Sequence, residues 1–243
     1  MAQSANAKAT MTTGQVKVNG ENTSANKAWR VEYGGDTFDN ANGTVMFQFN
    51  GFDSRMSMRS ESHANNAFHN LIIHMNGDTR TIGIDNGSKL IVDNDLTITR
   101  GVLQMNTNHE LEVVGNVVID DGSDVAKLQM GNVSTASSHP ASFGSLTIGN
   151  DGTYFATSGT TTLNGTVDVG MRVDGTFNNN DGTFVIDGSI TKVQMGSIGG
   201  APTGFSINNA PFHHLIINDS INFAWATGTL FNVEGDLTVA AGQ

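Results

Sequence analysis

Apolar residues enter this chain in short bursts. Ala67-Phe68-His69-Asn70-Leu71-Ile72-Ile73-His74 returns as Pro211-Phe212-His213-His214-Leu215-Ile216-Ile217-Asn218. A thinner copy lies between them, Ser142-Phe143-Gly144-Ser145-Leu146-Thr147-Ile148. An aromatic, two spacer residues and Leu-x-Ile is the alternation of a half-buried strand, and its recurrence marks a chain of repeated units. Turn-forming clusters such as Asp39-Asn40-Ala41-Asn42-Gly43, Asp85-Asn86-Gly87 and Asp120-Asp121-Gly122 separate the bursts. No stretch sustains the i, i+3, i+4 rhythm of a helix, so helix is expected in less than about one tenth of the chain.

Landmarks recur in a fixed order. Thr37-Phe38, a polar turn ending in Gly43 and the run Thr44 to Phe47 match Thr176-Phe177, a polar turn ending in Gly182 and the run Thr183 to Ile186. The Phe-x-x-Leu-x-Ile strand comes next each time, and then Asp95-Leu96-Thr97 or Asp236-Leu237-Thr238. Three landmarks in one order, roughly 140 residues apart, point to an internal duplication. Its copies are read as about 35–120 and 175–243. Residues 1–34 open with about 28 polar, small residues, of which only Val16-Lys17-Val18 is strand-like, and then Trp29-Arg30-Val31-Glu32-Tyr33 alternates as the ordered region begins. They read as an irregular N-terminal arm, free or anchoring on a partner. In the first copy Asp95-Leu96-Thr97-Ile98 runs on into Gly101-Val102-Leu103, and the second copy has no such run after Asp236-Leu237-Thr238. A continuation beyond Gln243 is therefore expected.

Strands of three to six residues at short intervals fit a sandwich, a barrel or a β-solenoid. Similar Leu-x-Ile strands suggest stacked rungs, and abundant Asn-Gly and Asp-Gly turns suit sharp corners. The expected fold is therefore all-β, a right-handed parallel β-solenoid, with an antiparallel β-sandwich or jelly roll as the alternative. In such a solenoid inward positions form apolar ladders. The expected members are Phe68, Leu71, Ile73, Phe143, Leu146, Ile148, Phe212, Leu215 and Ile217.

These Phe-x-Asn-Leu-x-Ile strands, with the Asp-Leu-Thr and Gly-x-Leu runs after them, resemble right-handed β-solenoid repeats of two groups. One is large bacterial surface proteins; the other is phage virion appendage proteins. The resemblance covers roughly Asp36 to the end. The motif's Asn is Asn70 in the first copy and is replaced by Ser145 and His214 in the others.

Composition narrows the picture. Gly is abundant at 29 residues and Pro scarce at 3, which favours strands and tight turns. The net charge of −11 repels phosphate backbones and argues against nucleic acid. With no cysteine there is no disulfide, thiolate metal site or Cys nucleophile. No apolar run reaches about 18 residues, so no spanning helix is expected. Taken from Met1, the sequence carries no secretory signal.

Candidate chemistry is thin. The turns 39–43 and 178–182 resemble partial calcium loops without the closing Glu, and read as turns. His63, His69, His74, His109, His139, His213 and His214 read as surface or turn residues. His213 and His214, being adjacent, are expected to point apart, as are His69 and His74 on one strand. Asp120, Asp121 and Asp124 could serve glycoside hydrolysis only across one groove, and read as a turn. Trp225 and Tyr154 could stack on a sugar but read as core or capping residues. No nucleophile elbow, zinc helix or phosphate loop occurs. No catalytic residue, cofactor or metal is assigned, and an enzyme is not expected.

The resemblance implies a viral structural protein, a phage tail fibre, spike or capsid-attached protein acting as a rigid scaffold in the virion. Expected partners are other virion proteins and further copies of the chain, a trimer being favoured. A host surface glycan is a further candidate ligand. The alternatives are a fragment of an adhesin at the bacterial cell surface and a polysaccharide-degrading β-helix enzyme.

Overall fold

The structure is a computed structural model that describes residues 9–19, 29–31, 38–48, 53–58, 67–84, 89–120, 124–132, 134–195, 212–225 and 231–240. Among these residues every regular element is a strand. The named strands pair in parallel, each with its counterpart one coil away. Parallel neighbours joined by a long connection are what a coil produces, whereas hairpins would give antiparallel pairs. The chain is a β-solenoid of about 7 turns, not a sandwich.

Each full coil contributes to three stacks. The first stack contains β2 (Gln15–Val18), β5 (Thr44–Phe47), β7 (Asn70–His74), the start of β10 (Leu96–Met105), and the ends of β11 (Glu110–Ile119) and β13 (Ala141–Ile148). It continues through β16 (Val169–Val173), β19 (Lys192–Met195) and β21 (Asn222–Trp225). The second holds β3 (Trp29–Val31), β6 (Ser54–Met58), β8 (Thr81–Ile84), the end of β10, β12 (Ala126–Met130), β14 (Gly152–Phe155) and β17 (Thr176–Asn178). The third holds β9 (Lys89–Val92), the starts of β11 and β13, β15 (Thr160–Leu163), β18 (Thr183–Ile186), β20 (His214–Ile217) and β22 (Leu237–Val239). A short pair, β1 (Ala9–Thr10) with β4 (Phe38–Asp39), precedes the third stack. In the segment read as an arm, β2 pairs with β5 along its whole length.

Alternation sends every second side chain inward. In the first stack, Leu71, Leu96, Val117 and Leu146 form one column and Ile73, Ile98, Ile119 and Ile148 another. All eight are buried. In the third stack Phe68 bridges to Val92, and the column runs on through Val113, Phe143, Leu163 and Ile186 to Ile217. Leu215 belongs to the neighbouring column, with Leu111, Ala141, Thr161 and Phe184. Each buried Leu or Ile contributes on the order of 1.5–3 kcal/mol of transfer free energy. The columns add these terms coil by coil.

All nine residues expected in the ladder are buried, but they do not share one set of columns. Leu71 shares a column with Leu146, Ile73 with Ile148, and Phe68 with Phe143. The third copy stands one face away: Leu215 and Ile217 lie on the third stack, and Phe212 bridges to Val233. Phe212 still reaches Phe143 through rings, by Phe143–Tyr154 at 5.8 Å, Tyr154–Phe177 at 5.9 Å and Phe177–Phe212 at 5.7 Å.

Local backbone contacts match between the two segments read as copies, although the segments lie on different stacks. Leu71 N–H donates to the Asp95 carbonyl and Leu215 N–H to the Asp236 carbonyl, both at 2.9 Å. Thr44 N–H donates to the Gly14 carbonyl, and Thr183 N–H to the Gly159 carbonyl. The two polar turns match in backbone conformation and in the amide bonds their Asn side chains accept. Asn42 N–H meets Asn40 Oδ1 at 3.1 Å, and Asp181 N–H meets Asn179 Oδ1 at 2.9 Å. Ala41 and Asn42 have φ of 47° and 58°, Asn180 and Asp181 of 47° and 59°. Asn and Asp tolerate that left-handed region and fix it by bonding their neighbours' amides. One turn thus leads into the first stack at residue 44 and into the third at residue 183.

A polar ladder climbs the corner leading into the first stack. Asn94 Nδ2 donates to Asn70 Oδ1 at 2.8 Å, Asn116 Nδ2 donates to Asp95 Oδ1 at 3.0 Å, and Ser145 Oγ donates to Asn116 Oδ1 at 2.6 Å. The Ser in the motif's Asn position continues the ladder.

Candidate functional site

Among the described residues, two candidate places besides the polar ladder gather polar side chains from several coils. The first is a groove on the second stack, of about 440 Å³. Its floor is the outward side of the strands. Gln104, Gln129, Phe155 and Asn178 stand in one outward column, and Thr81, Val102 and Lys127 in the next. One wall is the loop after β12. Gly131 (φ 111°) turns the chain out, and Asn132 Oδ1 accepts the Ser134 and Thr135 amides at 2.9 and 2.8 Å. The groove therefore offers amides, hydroxyls, one ammonium and the half-buried ring of Phe155. Such a surface suits a neutral, hydroxyl-rich ligand better than a multiply charged one. Its period-two pattern was present in the sequence, but the facing of three coils depends on register.

The second place is the corner before β18, β20 and β22. Asp181, His213 and Glu234 bring one ligand atom each to within 4.8 Å of one another. His213 Nδ1 lies 3.8 Å from Asp181 Oδ1 and 3.7 Å from Glu234 Oε2. Beside them, His214 Nδ1 accepts the Asp236 amide at 3.0 Å.

This corrects the expectation that His213 and His214 point apart. Their ring centroids are 4.4 Å apart and perpendicular. The alternation rule fails because His213 lies in the corner, one residue before β20 begins. For the same reason it does not relate His69, just before β7, to His74. His74 instead meets Thr99 Oγ1 at 2.6 Å. His109 is buried, and His139 Nδ1 lies 3.9 Å from Glu110. His63 lies outside the described residues.

The other candidates have structural roles. Asp120 is buried at φ 68°, and its Oδ2 accepts the Asp151 amide at 2.8 Å. Asp124 Oδ1 is 3.6 Å from Arg100, and Asp121 lies outside the described residues. Tyr154 is fully enclosed, its hydroxyl 3.1 Å from Thr161 Oγ1, and burial pushes its phenol well above the ordinary range. It cannot stack on a sugar. Trp225 is the last residue of β21; its side chain lies outside what the structure describes. On the exposed surface, hydrogen bonds from Lys192 and Thr191 hold the Asp168 carboxyl below the usual carboxylate range.

No family model, curated protein or solved structure matches this chain.

Proposed function

We propose that this chain is a structural protein of a virus-like particle, a tail fibre, spike or capsid-attached protein, whose work is mechanical. The observation that supports this reading is the continuity of the interior. Apolar columns run from β5 to β19 in the first stack without a polar interruption. At about 4.8 Å per rung, bending such a stack strains many parallel pairings at once. A stiff rod of this kind transmits position, and the motif resemblance to virion appendages supplies the setting. Mass spectrometry of purified particles from the source culture tests the idea. The chain should appear in the particles at a fixed ratio to other virion proteins; its absence from them ends the proposal.

A second reading, a cell-surface adhesin, draws on the groove over Gln104, Gln129, Phe155 and Asn178. A glycan array probed with the full chain separates the two. Binding lost in Phe155→Ala and Gln129→Ala favours the adhesin, and no binding favours the mechanical role alone.

A further inference from the structure

The corner built by Asp181, His213 and Glu234 has a twin that lacks one carboxylate. By the matched hydrogen bonds, Asn42 occupies the place of Asp181, His69 that of His213, and Asp93 that of Glu234. Asp93 N–H donates to the Phe68 carbonyl at 2.8 Å, as Glu234 N–H does to the Phe212 carbonyl at 3.1 Å. In the first copy the amide of Asn40 takes the Asp93 carboxylate at 2.9 Å. In the second copy His213 is half-buried at the corner. Its Nδ1 is buried and has no hydrogen-bond partner, although two carboxylates stand 3.7 and 3.8 Å away.

That gap is too wide for a hydrogen bond and close to the span of an ion. Ligand atoms each about 2.1 Å from one metal lie about 3.4 Å apart at the tetrahedral angle. The carboxylates sit on exposed side chains, Asp181 at 83% and Glu234 at 50%, and need only small rotations to close. One imidazole nitrogen with two carboxylate oxygens is a donor set for a borderline divalent ion.

We propose that Asp181, His213 and Glu234 bind a divalent transition metal of the Zn²⁺ class, clipping together the three coils that lead into β18, β20 and β22. The ion joins residues far apart in sequence that only the folded register brings together, so it stabilises the native state by mass action. It acts beside β22, where Leu237 and Val239 are 52% and 50% exposed.

The test is the thermal midpoint of the full, chelator-treated chain against added ZnCl₂, with Co²⁺ absorption as a second readout. The wild type should gain stability with zinc and give Co²⁺ ligand-field bands. His213→Ala should lose both. Glu234→Gln and Asp181→Asn, which keep size and shape, should weaken binding by more than the about tenfold that loss of even an outer hydrogen-bonding partner costs. His139→Ala, at a different His–Glu pair, should respond like the wild type. Circular dichroism without metal checks folding; should His213→Ala fail to fold, Glu234→Gln decides. No zinc response in the wild type, or an equal response in the Asp181 and Glu234 variants, overturns the site.

Discussion

Asn70 and His214 perform the same task on different faces of the solenoid. Asn70 Oδ1 accepts the Asp95 amide at 3.3 Å, and His214 Nδ1 accepts the Asp236 amide at 3.0 Å. An amide oxygen and an imidazole nitrogen are interchangeable there because the corner needs only one acceptor at that height. The substitution that broke the motif in sequence preserves it in hydrogen bonding.

Phe143→Ala should lower stability by about 3–5 kcal/mol, since it empties a fully buried site in a column between Val113 and Leu163. Val114→Thr, at a residue 59% exposed, should change stability by less than about 0.5 kcal/mol. Urea unfolding of both variants compares them directly.

Gly43 and Gly182 close the two equivalent turns. A Cβ at Gly43 would run into the Thr12 carbonyl oxygen, and one at Gly182 into that of Thr157. Backbone cannot step aside as a side-chain tip can, so Gly182→Ala should cost about 1–3 kcal/mol. Gly43→Ala should cost a similar amount. Thermal melts showing either variant as stable as the wild type would contradict the matching of the turns.

The Tyr154 phenol is held neutral by burial, its pKa raised from the ordinary value of 10.0. The unfolded chain therefore ionises first as pH rises, and stability should be intact below pH 10 and fall above it. Absorbance titration should show Tyr154 ionising only as the fold is lost. In Tyr154→Phe the alkaline loss should shrink. At neutral pH that variant should be about 1–2 kcal/mol less stable, because the Thr161 hydroxyl loses its partner.

Asp168 runs the other way. Its lowered pKa comes first from Lys192 and then from Thr191. The contribution is present above the ordinary carboxylate pKa and lost as pH falls through the depressed one. Carbon-detected NMR should place the Asp168 midpoint below that of a free aspartate, and Lys192→Met should raise it. The group is exposed, so added salt should narrow the difference.

The strands were legible because Leu-x-Ile alternation is local. Leu71, Leu146, Ile73 and Ile148 could be assigned to shared columns from the motif alone. The faces were not legible. Phe212-x-x-Leu215 carries the same pattern as Phe68-x-x-Leu71, yet its face depends on the number of corners between Leu146 and Leu215, which the pattern does not constrain. Asp181, His213 and Glu234 were missed for a related reason. They are separated widely in sequence, and only the pairing of Thr183 with His214 and of Leu215 with Leu237 sets them one above another. A comparison of the two matching turns, which puts Asn42 against Asp181, was the available signal.

The matching runs Thr44–Phe47 and Thr183–Ile186 lie on different stacks, and this has a consequence for how such a coil can be built. A segment that works equally well at either of two edges of a three-sided prism can be inserted without completing a whole revolution. The same surface feature can then be aimed in a different compass direction by moving the segment one stack around the axis.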